Sequence, residues 1–195
     1  MALPVATQTF TASDGTGLTS YNASFTVIEA GHGIYSNTLY ALNSGKWNAA
    51  YWAGDTFDDN QYAQCKVSLL ATSDGTGVGV RMTGTSAANF NAYWFQYKAS
   101  AGTLEKISNG TNSTLGAAFS APSLNSTVKL TVSGTTLEVF YDGVSQGTRT
   151  DASFASGSAG VITYSNDTSA SLDDWAAGNL SSGPTGTPFH AYAQM

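Results

Sequence analysis

The sequence predicts an all-β protein, a two-sheet antiparallel sandwich of the jelly-roll kind, on three observations. Apolar and polar residues alternate with period two through most of the chain from Phe25 to Trp175, as half-buried strands require. No apolar stripe of helical spacing reaches the length of a helix. Clusters of Gly, Asn, Asp and Ser bound the alternating segments, and strands so numerous pack as two sheets.

Taken in order, the chain opens on "MALPVATQTF", of which residues 1–9 read as an extended N-terminal arm. "SDGTG" stands at Ser13 to Gly17 and again at Ser73 to Gly77, and its flanks differ, so the two copies are turn chemistry rather than a repeat. "QYAQCKVSLLA" and "GVGVRMTG" read as strands, with Asp74-Gly75 as the tip of a hairpin between them. "NAYWFQYKA" and "TLEKISNG" follow as strands. In "TVKLTVSGTTLEVFYDGVSQG", Val128, Leu130 and Val132 alternate with polar residues. Ser133-Gly134-Thr135 turns the chain, Leu137, Val139 and Tyr141 resume the inward set, and Asp142-Gly143 turns it again. "AGVITYS" and "ASLDDWAAG" complete a single domain over residues 10–178. Residues 179–195 contain "SSGPTGTPFHAYAQM", a Gly/Pro/Ser/Thr linker ending in a tail whose Phe189, His190, Tyr192 and Met195 are candidates for docking onto a partner.

Composition narrows the function classes. Of 195 residues 42% are hydrophobic and only 10% charged, so a core can form beneath a surface of uncharged polar groups. A net charge of −6 with seven basic residues scattered along the chain excludes a phosphate-backbone binder. No apolar run approaches membrane-spanning length, and the N-terminus lacks the charged and apolar regions of a signal peptide, which predicts synthesis in the cytoplasm. The single Cys65 forms no intramolecular disulfide and alternates with polar neighbours beside Ala63, Val67 and Leu69 on one face of a strand, as a small buried hydrophobe does.

Catalytic patterns are missing from the sequence. Glycoside hydrolysis needs two carboxylates flanking a bond, yet Glu29, Glu105 and Glu138 have no carboxylate two residues away. Asp58-Asp59 and Asp173-Asp174 are adjacent, which on a strand sends them to opposite faces. His32 and His190 stand without a nucleophile elbow or metal-spaced partner, so a non-enzymatic protein is expected. Binding has a clearer pattern. If Tyr93, Phe95 and Tyr97 point into the core, Trp94 and Gln96 point out, and the same parity turns out Tyr62 and Arg81. An outward aromatic ring among planar polar groups suits sugar stacking or a protein interface, making Tyr62, Arg81, Trp94 and Gln96 the candidate glycan or partner face.

"TFTASDGTGLTSYNASFTV", "FDDNQYAQCKVSLL", "VKLTVSGTTLEVFYDGV" and "AGVITYSNDTSASLDDWAAG" stand in an order that resembles laminin-G-like, concanavalin-A-like domains of the lectin and glucanase superfamily, over Phe10 to Gly178. The resemblance implies a bacteriophage virion structural protein: a capsid decoration protein, or a fibre-associated module. Its partners would be capsid or other virion proteins and further copies of itself, and its place the virion surface after synthesis in the host cytoplasm. The alternative it implies is a lectin-like module recognising cell-surface or polysaccharide glycans. No cofactor is required on either reading. In such a sandwich the strands nearest the two ends are neighbours, which would bring Asp14 toward Asp173 or Asp174. Asp174 is the one sharing parity with Leu172, and Asp14 and Asp174 form the candidate calcium (Ca2+) pair.

Overall fold

A computed structural model describes residues 5–70, 72, 75–165 and 170–180. Two antiparallel sheets face each other, as the alternation requires. The eight-stranded sheet runs in the order β13 (Val144–Thr150), β12 (Thr136–Tyr141), β11 (Thr127–Ser133), β6 (Gln61–Leu69), β15 (Ser171–Asn179), β4 (Thr38–Ala41) and β3 (His32–Tyr35). Its eighth strand, β1 (Ala6–Gln8), pairs with β15, so part of the expected N-terminal arm belongs to the sandwich. The seven-stranded sheet runs β10 (Thr111–Thr114), β9 (Ala101–Ser108), β8 (Asn91–Lys98), β7 (Gly75–Thr83), β14 (Ser158–Ser165), β5 (Lys46–Trp52) and β2 (Phe25–Glu29). One helical turn, α1 (Leu18–Tyr21), buries Leu18 against the end of the sandwich.

Between the sheets lies the main core. Ala63, Cys65 and Val67 of β6, Val128, Leu130 and Val132 of β11, and Tyr93, Phe95 and Tyr97 of β8 all enter it, each set two residues apart. Cys65 is fully buried beside the Tyr97 hydroxyl, and burial pushes its thiol well above the ordinary range.

The two copies of "SDGTG" do different work. In the first, Thr16 N donates to Ser13 O at 3.1 Å and Gly15 has a φ of +85°, a turn as expected. The second does not close a hairpin: β6 lies in the eight-stranded sheet and β7 in the other, so the chain crosses between sheets there. Asp74 lies outside the described residues, and Gly75 is already the first residue of β7. The expected turns at Gly134 and at Asp142-Gly143 do form, the latter with φ of 48° and 80°, linking β12 to β13.

Candidate functional site

The outer face of the seven-stranded sheet carries a second, smaller apolar cluster. Trp94 and Ala92 of β8, Met82 of β7, Ile107 of β9 and Ile162 of β14 are buried in it with Phe90, and Trp47 of β5 packs over them. Trp47 is the hub: its ring centroid stands 5.3 Å from Trp94, 4.9 Å from Tyr164 and 6.2 Å from Phe90, all edge to face. Its Nε1 donates to Gly110 O at 3.2 Å, which ties β5 to the β9–β10 turn. That turn is Asn109-Gly110, with φ of 47° and 75°. A side chain at Gly110 would also strike Ala87 O at 2.1 Å, so the hairpin can rest there only with glycine.

Beside this cluster opens a cleft of about 440 Å3. Trp47, Trp94 and Tyr164 supply its aromatic walls, Gln96 and Asn112 its amides, and Gly75 part of its floor. Glycines at Gly75, Gly77 and Gly79 leave the β7 strip between β8 and β14 without side chains on this face. At Gly75 a Cβ would lie 1.8 Å from Gln96 Oε1, so that oxygen rests directly over the glycine.

Glu105 of β9 fixes the amides. It is only 4% exposed and accepts from Gln96 Nε2 and, at 2.6 Å, from Asn112 Nδ2. A carboxylate only accepts, so both amide NH2 groups must turn toward it. Trp94 Nε1 and the neighbouring Thr103 Oγ1 are buried with no hydrogen-bond partner among the described residues. Chemically the site offers aromatic surface and oriented amide oxygens, a combination suited to a ligand with an apolar ring face and hydroxyls.

Of the four residues expected on one face, Trp94 and Gln96 line this cleft and Tyr62 and Arg81 do not. Tyr62 sits in β6, on the outer face of the opposite sheet, where Lys129 Nζ stands 5.9 Å from its ring. Period two reveals which face a residue takes but not which sheet owns the strand. Arg81 fails for a different reason. A register shift between Val80 and Thr83 and a φ of +50° at Arg81 break the alternation, which also moves Met82 to the outer cluster. The buried guanidinium donates instead to Asp59 O at 2.8 and 3.0 Å and to Phe154 O at 2.7 Å, locking two loops. Trp94 has the expected parity yet is 1% exposed, because Trp47 covers it.

Sequence reasoning missed Trp47, Tyr164, Asn112 and the orienting Glu105. The available signal was "GTGVGV", whose glycines at every second position vacate one face of a strand. Asp14 Oδ1 accepts from Ser36 N at 2.7 Å, and Asp174 lies 4.0 Å from Lys66 Nζ. Among the described residues no group of three or more His, Cys, Asp or Glu is placed to hold a metal ion. The tail residues Phe189, His190, Tyr192 and Met195 lie outside the described residues.

No protein-family model and no curated protein matches the chain. Solved structures are similar to it. A protein of unknown function with a galectin-like fold from Bacillus subtilis aligns with a TM-score of 0.61 at 14% identity, over 86% of this chain and 97% of that one. The carbohydrate-binding module CBM66 from Bacillus subtilis aligns with a TM-score of 0.55 at 15% identity, over 80% and 92%. The potassium-bound carbohydrate recognition domain of Emp46p aligns with a TM-score of 0.57 at 9% identity, over 89% and 96%. At these identities the likeness establishes the fold, a galectin-like, concanavalin-A-like jelly roll.

Proposed function

We propose that this chain is a non-enzymatic, lectin-like carbohydrate-binding module whose site is the cleft on the outer face of the seven-stranded sheet. The observation that carries the reading is the meeting of three aromatic rings with two amides held by one buried carboxylate. A pyranose stacks an apolar face on an indole or phenol and offers its hydroxyls to amides, and this cleft provides both within one wall-to-wall space. The carbohydrate-binding neighbours support the same reading at the level of the fold. None of the described residues lining the cleft carries a carboxylate, and Glu105 is engaged by both amides, so among the described residues the two-carboxylate geometry of glycoside hydrolysis has no counterpart there.

The virion reading draws its support from the sequence resemblance and from a tail outside the described residues, and no feature of the sandwich favours it over glycan binding. Glycan-array screening of the full chain, followed by calorimetry on the hits, tests the proposal. Tyr164→Ala is the variant of choice, because Tyr164 is 39% exposed and its loss spares the core. It should weaken binding on the order of tenfold, about one stacking contact, with the melting temperature nearly unchanged. Undiminished glycan binding by Tyr164→Ala, or release of sugar product by the native chain, would overturn the reading.

A further inference from the structure

We infer that the cleft selects neutral, hydroxyl-rich sugars against anionic ones, and that Glu105 imposes the selection by deciding which atoms of Gln96 and Asn112 a ligand meets. The inference rests on the glycan-binding reading and adds the class of sugar to it. Glu105 takes one N–H of each amide, which fixes the orientation of Gln96 and Asn112 and leaves their carbonyl oxygens free for a ligand. For Gln96 that oxygen lies over Gly75, in the cleft floor. A sugar hydroxyl can donate to such an oxygen. A carboxylate or sulfate only accepts, so it would face the amide oxygens lone pair to lone pair.

Charge acts in the same direction. Glu105 is buried behind the amides, makes no ion pair among the described residues, and sits where water screens its field poorly. None of the described residues lining the cleft is a cation. Two lysines come near along the strands. Lys106, next to Glu105 in β9, is held by Asp151 at 3.0 Å and by Ser153 at 2.9 Å. Lys98, two residues beyond Gln96 on the same face of β8, lies outside the cleft lining. An anionic group entering the cleft therefore approaches a fixed negative charge with no cation among the described wall residues to receive it.

The test compares the native chain and Glu105→Gln by calorimetry at low salt against neutral oligosaccharides and their uronic-acid, sialylated and sulfated counterparts. The native chain should bind the neutral member of each pair more tightly, by roughly tenfold to a hundredfold for like charges several ångströms apart. Glu105→Gln keeps the shape but can donate as well as accept, so the amides are no longer forced into one orientation. It should bind the neutral sugars less well, and its neutral-to-anionic ratio should fall toward one. Thermal melts show whether the variant folds, and the native comparison decides the matter if it does not. Equal or tighter binding of the anionic counterparts overturns the inference and leaves the glycan-binding reading standing, as does an unchanged ratio in folded Glu105→Gln. If no sugar of either kind binds, both fall.

Discussion

His32 should make the sandwich acid-sensitive, and replacing it should remove that sensitivity. The imidazole is fully buried between the sheets, where its Nε2 lies 3.3 Å from Thr163 Oγ1, and Thr163 in turn lies 2.7 Å from Thr76 Oγ1. Burial lowers its pKa from 6.5 to about 3, since a charged ring there would lose its water without gaining a counter-ion. The folded-state value is thus below the unfolded one, and as pH falls the unfolded chain takes up the proton first. Stability from this group is whole above about pH 6.5 and is lost toward about pH 3, at about 1.4 kcal/mol per pH unit. Between about pH 7.5 and about pH 5 the loss comes to about 2 kcal/mol, or about 4–8 °C in melting temperature for a chain of this size. His32→Gln retains a group able to reach Thr163 and cannot titrate. Urea unfolding of both proteins across that pH range should show the native chain losing about 2 kcal/mol more than the variant. The carboxylates common to both cancel in the difference. Parallel pH profiles would refute the reasoning, because they would mean that His32 is hydrated or paired in the folded protein.

Two other outcomes follow from residues already placed. Gly75→Ala should expel Gln96 Oε1 from above the strand and break the bond from Gln96 to Glu105, costing about 1–3 kcal/mol in unfolding free energy and abolishing glycan binding; retained affinity would show that Gln96 is not part of the site. Cys65, buried against Tyr97 with its thiol pKa raised, should react with a thiol reagent only at the rate of global unfolding, and rapid labelling of native protein would place it outside the core.

Much of the sandwich could be read in the sequence, because a strand half buried on one face writes its orientation into alternate residues. β11 is the clearest case: Val128, Leu130 and Val132 enter the core as their spacing predicts. What alternation could not convey is which strands share a sheet. Tyr62 and Trp94 both point outward, from opposite sides of the molecule, and only the pairing of β6 with β11 and of β8 with β7 separates them. The crossing from β6 to β7 was hidden by a sequence that also suits a tight turn, since Gly75 serves there to make room for Gln96 rather than to reach positive φ. β5 escaped because Ala49 packs outside and Ala50 inside the sandwich, so a strand with both faces covered shows no alternation.

The glycine strip and the outer cluster are best understood as two parts of one arrangement. A strand with Gly75, Gly77 and Gly79 gives up side-chain contacts on one face and, left alone, would weaken the sheet at its middle. Here the vacated face is recovered by its neighbours: Trp47 reaches across to Trp94 and to the β9–β10 turn, and Met82 and Ile162 close over the glycines. A Cβ at Gly79 would meet Met82 Sδ at 2.6 Å and Ile162 Cδ1 at 2.9 Å, which shows how closely they do so. The same packing that restores stability holds the aromatic walls before any ligand arrives. Trp94 has no rotamer freedom left to lose, and Gln96 and Asn112 are already bound to Glu105. Ordering side chains on binding costs about 0.5–1.5 kcal/mol each, and a cleft built on strands and braced from behind avoids most of that cost. A shallow site whose individual stacking and hydrogen-bond contacts are weak can then retain a sugar, because little of their combined energy is spent on arranging the protein.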